Sequence, residues 1–243
     1  MAEVIGDCVD DLQERLSVLA SDLDLDYFGV ADLRDARDFI MAQGGDHLTR
    51  YPRAVSIGIR LLDAVVDELY RHDEPSAIYS YRALYDSVNS RLDMAAMLIG
   101  RQIQADGFRA YLIPASQTIN PRKLEGAFSH KLAAHLAGLG WMGRSSLLIT
   151  PDHGPRVRLA TVLTDAPLRS GTPLPDVCGD CRKCIEACPA GAFTGAPFDP
   201  SQPRDVRFRA HLCNEYMERR ERSLGEGLCG LCVFICPHVS HRT

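Results

Sequence analysis

The sequence predicts a mixed α/β (α+β) domain followed by a small cysteine-rich module, and three observations carry that expectation. Between residues 9 and 164, segments with apolar residues spaced by three and four alternate with short β-rich runs. After Asp165 the composition changes, and Pro167, Gly171, Pro173 and Pro175 mark a linker. Beyond it lie all the cysteines except Cys8. The boundary is therefore expected near Arg169, giving units of residues 1–169 and 170–243. At 243 residues and 46% hydrophobic, the chain can bury one substantial core with a smaller module appended.

The elements of the first unit follow in order. Val9, Leu12, Leu16, Leu19, Ala20 and Leu23 form one helical stripe. Tyr27–Ala31 and Ala54–Ile59 are β-rich, and Tyr51-Pro52 introduces the second, where proline can start a strand without breaking a ladder. From about Ala77 to Ala105, Ile78, Tyr81, Leu84, Tyr85, Val88, Leu92, Ala95, Ala96, Ile99 and Ile103 repeat at helical spacing, and Asp106-Gly107 ends that helix. Phe108–Ile113 reads as a strand stopped by Pro114. A helix over roughly Phe128–Leu136 precedes the turn Gly138-Leu139-Gly140-Trp141-Met142-Gly143. Strands at 146–150 and 157–164 flank a loop of turn residues, Pro151–Pro155.

The cysteines carry the chemistry. Cys178 to Pro189 read C-G-D-C-R-K-C-I-E-A-C-P, and Cys229-Gly-Leu-Cys232-Val-Phe-Ile-Cys236-Pro237 follow about forty residues later. A C-x2-C-x2-C-x3-C-P run gives three thiolates to one 4Fe-4S cluster, while the cysteine before proline serves the other. Cys178, Cys181, Cys184 and Cys236 are thus expected on cluster one. Cys188, Cys229 and Cys232 are expected on cluster two, whose last corner falls by counting to Cys213. Cys8 is left as a lone thiol. C-x2-C pairs also hold zinc, and a disulfide framework is a third reading. Two C-x3-C-P runs favour clusters over zinc, and the missing apolar signal peptide disfavours disulfides.

Composition narrows the partners. A net charge of −5 provides no basic footprint for unspecific nucleic-acid binding, although a local patch could still grip RNA. No stretch reaches the roughly 18 apolar residues of a membrane span. The N-terminus MAEVIGDCVDD has no twin-arginine signal. The expectation is a cytoplasmic protein with no membrane partner.

The segment Ala137–Ile149, containing G-L-G-W-M-G-R, then Val162-Leu163-Thr164-Asp165-Ala166-Pro167-Leu168, then the cysteine run, resembles the catalytic region of epoxyqueuosine reductases. More distantly it is similar to corrinoid-dependent reductive dehalogenases. The likeness spans roughly residues 25 to 238. It implies a nitroreductase-like domain holding cobalamin, fed with electrons by a ferredoxin-like double-cluster domain, with an external ferredoxin or flavodoxin as donor. The corrinoid is expected over the turn Gly138, Leu139, Gly140, Trp141, Met142, Gly143 and Arg144, close to one cluster. Glycines there would let backbone approach a flat ligand, or would only make a tight turn around a core Trp141. FMN stands as the alternative cofactor, because both are flat groups approached by backbone.

The sequence also departs from that family. The strand ending at Ile113 runs on as Pro114-Ala115-Ser116-Gln117, where the family's strand leads to an acid that donates a proton. Glu125 is the nearest substitute, or else a solvated loop residue. Ser116 and Gln117 are candidate ligand contacts or turn residues. His130 and Lys131, standing where the family has a glutamate–arginine pair, are candidate proton donors or anion holders, or a solvent-facing pair. Tyr81, one turn from Tyr85, is a candidate proton donor or a core residue. Arg156 and Arg158 alternate on a strand, as anion holders or as edge polarity. The chain stops at Thr243, without the helical-repeat extension by which the family engages tRNA. With the missing acid, this favours a small-molecule substrate over tRNA. The expected function is reduction of a small substrate by a clustered, corrinoid-bearing enzyme. Epoxyqueuosine reduction with a replaced donor is the alternative, and a non-catalytic electron-transfer or corrinoid-reactivation protein is a further one.

Overall fold

The computed structural model describes residues 2–239, with side chains from Asp11 onward; Cys8 lies outside the described side chains. The chain begins with α1 (Ala2–Asp22), β1 (Tyr27–Asp32) and α2 (Arg37–Gly44). Next come β2 (Arg53–Arg60), the short α3 (Asp63–Asp67) and the long α4 (Pro75–Ala105). Then follow β3 (Ala110–Ile113), α5 (His130–Leu136), β4 (Trp141–Met142), β5 (Leu148–Ile149) and β6 (Val157–Thr164). The cysteine-rich part contributes α6 (Lys183–Glu186), α7 (Ala210–Leu224) and α8 (Leu231–Phe234).

Four strands make one sheet in the order β1-β2-β6-β3, antiparallel throughout, with Ile57 opposite Ala160 at its centre. Helices cover both faces, which is why β2 reads as a nearly unbroken buried run rather than an alternation. On one face Val55, Ile57 and Val162 pack with Leu12 and Leu16 of α1 and Ile78, Leu92 and Ile99 of α4. On the other, Ala54 and Leu163 pack with Ile40 of α2 and Leu132 and Ala133 of α5. Each such fully buried Val, Leu or Ile side chain contributes roughly 1.5–3 kcal/mol.

Helix α4 starts two residues before the expected point, because Pro75 sits in its first turn, where a missing N–H costs nothing. Helices α2 and α3 were not anticipated, being too short to show a period. Arg156 corrects the edge-polarity expectation: it is only 1% exposed, and its two terminal nitrogens bond Asp63 (2.9 Å) and Asp67 (2.5 Å) of α3. The second cysteine run is not peripheral either. Val233 of α8, with the partly buried Cys232 and Phe234, packs in the same core as α4.

Candidate active site

Cys178, Cys181, Cys184 and Cys236, far apart in sequence, line one small cavity together with Gly143, Arg144 and His238. Cys188, Cys213, Cys229 and Cys232 form a second neighbourhood. Burial pushes the Cys213 thiol up to about 11, with Cys188 and Cys229 adding to the shift. Cys232 is raised further by burial and then by Cys229, Cys213 and Cys188. All eight are free rather than disulfide-bonded. Sulfurs gathered in this way are stable as thiolates only with metal cations among them, so the donor set suits iron–sulfur clusters.

A separate cavity of about 1150 Å³ opens between the end of β3, the N-terminus of α5, the start of β6 and the segment 198–207 of the cysteine-rich part. That exceeds the roughly 300–1,000 Å³ of ordinary ligand pockets and leaves room for a corrinoid or flavin. The two residues of β4 link the two kinds of site. Successive strand side chains point to opposite faces. The indole N–H of Trp141 accordingly donates to Cys178 Sγ (3.5 Å), while Met142 lines the large cavity.

Of the turn expected to carry a cofactor, Met142 lines the large cavity and Gly143 and Arg144 line the small one, while its glycines pack closely against the chain. Gly138, at φ +78°, has no room for a side chain because the Thr172 carbonyl lies 2.6 Å from where a Cβ would stand. A Cβ at Gly140 would meet the Ile149 carbonyl, and one at Gly143 would lie 2.6 Å from the Ile149 side chain and 3.6 Å from Cys178 Sγ. Leu139 packs into the protein interior. Arg144 donates to the carbonyls of Gly195 (3.2 Å) and Gly179 (3.4 Å) and pairs with Asp176. Apart from Met142, the turn serves as a strut between the linker, β5 and the first cysteine set.

Other candidates divide between wall and core. Tyr81 is buried, does not line the cavity and packs against the Cys229–Cys232 run, where a Gly230 Cβ would lie 3.0 Å from its ring. Burial raises its hydroxyl pKa, making it a poor proton donor. Ser116 faces away and bonds the Tyr85 hydroxyl (2.7 Å), whereas Gln117 lines the cavity. Glu125 lines it too, with its carboxylate 3.7 Å from Arg204.

His130 and Lys131 open the first turn of α5 behind Ser129, whose side chain caps the helix. Both line the cavity, and neither faces bulk solvent as an amphipathic pair would. His130 Nε2 lies 2.9 Å from the Pro114 carbonyl, which can only accept, so Nε2 carries the proton and Nδ1 accepts from the Thr161 hydroxyl (2.8 Å). Burial lowers its pKa to about 4, which keeps the ring neutral. Lys131 donates to the Ser146 carbonyl (2.6 Å). Burial, then the nearby charges of Arg207 and Arg204, bring its pKa down to about 8.

Sequence reasoning missed Ser146, Arg204 and Arg207 in this wall. Ser146 holds a left-handed φ of +54°, unusual outside glycine, and its buried hydroxyl has no partner. Arg204 donates to the carbonyls of Leu124 and Lys123, which fixes the 120–125 loop over the cavity.

An α/β domain carrying two sets of four cysteines beside a large cavity defines an iron–sulfur protein. The family model described as "4Fe-4S double cluster binding domain" matches residues 177–239. The chain resembles epoxyqueuosine reductases: it is 31% identical to that of Listeria monocytogenes over 123 residues, covering 46% of this chain and 30% of the relative. It is 34% identical to that of Gloeobacter violaceus over 122 residues, covering 46% and 36%. The matched stretch thus spans about a third of these relatives. Among solved structures, the Bacillus subtilis epoxyqueuosine reductase superposes with a TM-score of 0.58 at 19% identity, covering 95% of this chain and 66% of that one. A catabolic reductive dehalogenase gives 0.68 at 21% identity, covering 93% and 32%. An epoxyqueuosine reductase structure solved with an epoxyqueuosine-modified tRNA-Tyr stem loop gives 0.58 at 19% identity, covering 95% and 66%. No described helix is long and apolar enough to cross a membrane.

Proposed function

We propose that the protein is an iron–sulfur reductase of the epoxyqueuosine reductase type, with two 4Fe-4S clusters feeding a cofactor in the large cavity of a nitroreductase-like domain. The observation that carries this reading is β4, which sets Trp141 on a cysteine sulfur and Met142 on the cavity wall. In this reading Cys178, Cys181, Cys184 and Cys236 hold cluster one, and Cys188, Cys213, Cys229 and Cys232 hold cluster two. An external ferredoxin or flavodoxin supplies the electrons. The residues facing the cavity, among them Met142, Gln117 and Lys131, would hold the cofactor. A corrinoid bound there would supply a low-potential metal centre for the clusters to reduce. Electron-transfer proteins need no cavity of about 1150 Å³, which weighs against the non-catalytic reading.

Reducing an epoxide consumes protons with the electrons. Asp38 and Glu125 are the carboxyl groups lining the cavity among the described residues, and Glu125 is the proposed donor, steadied by Arg204. Lys131, with its pKa near neutrality, is the second group able to deliver a proton. The likeness to epoxyqueuosine reductases moves the favoured substrate from an unspecified small molecule to the modified base, with tRNA as the partner that presents it. The decisive test is queuosine recovery in a strain lacking its own reductase, with Glu125→Gln as a second arm. Recovery that E125Q abolishes supports both substrate and donor. Normal cluster content without recovery ends the tRNA reading.

A further inference from the structure

Arg207 is a buried cation without a counter-ion. It is 7% exposed and lines the large cavity, yet its guanidinium makes no hydrogen bond or ion pair with the described residues, and its Nε is buried unpartnered. Its guanidinium lies over the face of Phe198, at 4.9 Å from the ring centroid. Asp199, the carboxylate near enough to be felt, bonds instead to the backbone and hydroxyl of Ser201 (2.8 and 2.6 Å). A guanidinium whose Nε is shut away from water without a partner, at the wall of a cavity, keeps its charge available to an anion bound there.

The surroundings point the same way. Lys131 lies close enough for Arg207 to be the strongest neighbouring charge acting on it, and Ser146, whose carbonyl receives the Lys131 ammonium, adds a buried hydroxyl without a partner. The other cavity arginines are committed: Arg204 to the carbonyls of Leu124 and Lys123, Arg158 to Asn89 and to the face of Tyr85 at 4.1 Å. Of the two lining carboxylates, Glu125 is held by Arg204. Free donors and excess positive charge converge on one wall.

We propose that Arg207, with Lys131 and the Ser146 hydroxyl, forms an oxyanion site that grips a carboxylate or phosphate group of the molecule occupying the cavity. The planar guanidinium fork matches either group bidentately. The inference rests on reading the cavity as a ligand site, but not on the ligand being a corrinoid. The anion can belong to a cofactor, such as the phosphate in a cobalamin nucleotide tail, or to the substrate.

The test titrates cluster-reconstituted protein calorimetrically with inorganic phosphate, and separately with cob(II)alamin and with cobinamide, which lacks the phosphate-bearing tail. Wild type is compared with Arg207→Gln and Arg207→Lys, and cluster absorbance serves as the check on folding. Phosphate binding that weakens roughly tenfold to a hundredfold in R207Q and partly recovers in R207K is the expected result. If R207Q also weakens cobalamin but not cobinamide, the anion is the tail phosphate. If both corrinoids are indifferent to the substitution while the phosphate response is lost, the anion is the substrate's. Retained phosphate binding with no corrinoid binding at all sinks the corrinoid reading and leaves this one standing. No phosphate binding by wild type, or equal binding by R207Q, overturns the oxyanion site.

Discussion

Two arginines, Arg156 and Arg207, are buried in this protein under opposite conditions. Arg156, at the entrance to β6, is 1% exposed and bonded to two aspartates of α3. Arg207, at the cavity, is 7% exposed and bonded to none. The difference teaches that burial of a charge has no meaning until its partner is found. A paired charge serves the fold, whereas an unpaired one in a cavity wall leaves its charge available to a ligand. Arg156 locks α3 to the sheet, and its pairs hold the Asp63 carboxyl below its usual range: burial pushes it up, but bonds from Arg156 and Arg60 outweigh that. The sharpest way to break the comparison is Arg156→Met. Losing the pairs is expected to destabilise the protein toward the low end of ~3–5 kcal/mol, since Asp67 is half exposed and regains water. A denaturant midpoint unchanged from wild type would show that the pairs contribute nothing to the fold.

The glycine turn tests the same contrast from the structural side. Gly140→Ala places a methyl group against the Ile149 carbonyl, a backbone atom with little freedom to move. A loss of about 1–3 kcal/mol is expected, together with reduced iron content at the neighbouring first cysteine set. Cavity ligands should bind the surviving folded fraction normally. If G140A instead abolishes ligand binding in fully iron-loaded, stable protein, the turn is part of the cavity after all.

That turn also marks where sequence reasoning ran out. The pattern G-L-G-W-M-G states that something approaches the backbone closely but not what, and here the neighbours are Thr172, Ile149 and Cys178 of the same chain. The grouping of the cysteines was legible from the C-x2-C-x2-C-x3-C-P spacing, and the sheet and α4 because apolar period survives in long elements. Helices α2 and α3 span 8 and 5 residues, too few for a period to emerge. The cavity wall was the least legible part. Residues 117–131, Ser146, Arg158 and 204–207 meet only through folding, and Arg207 sits in the stretch Arg204-Asp-Val-Arg-Phe-Arg209, where nothing separates a ligand-facing arginine from a solvated one. His130 and Lys131 were singled out by position, but only the structure reveals that both ring nitrogens of His130 are already occupied.

His130 supplies a neutral counterpart to the two arginines. Its folded pKa, about 4, lies below the usual 6.5, so between these values the unfolded chain binds a proton that the folded chain refuses. Stability therefore rises with pH through that window and falls on acidification, with a limiting slope of about 1.4 kcal/mol per pH unit. His72 and His153 are also lowered, by burial first, and add to the slope, so the difference between wild type and His130→Gln isolates the contribution. Between pH 6.5 and 5.5, where the clusters can be checked by absorbance, wild type is expected to lose about 1 kcal/mol more than H130Q. Parallel pH profiles for the two proteins would mean that His130 takes up its proton in the fold as readily as in the unfolded chain, which would overturn the neutral, buried assignment.

The smallest expected effect discriminates most between the two arginines. Arg207→Met keeps an apolar contact for Phe198 and removes the uncompensated charge, so the ligand-free protein is expected to be unchanged or up to about 1 kcal/mol more stable. Added phosphate should then raise the unfolding midpoint of wild type by mass action and leave that of R207M where it is. The two curves converge or cross as phosphate rises, because the same side chain costs stability when the cavity is free of anion and returns it when the anion binds. A loss in R207M as large as that in R156M, at every phosphate concentration, would make Arg207 a second structural cation and remove the distinction on which the oxyanion site rests.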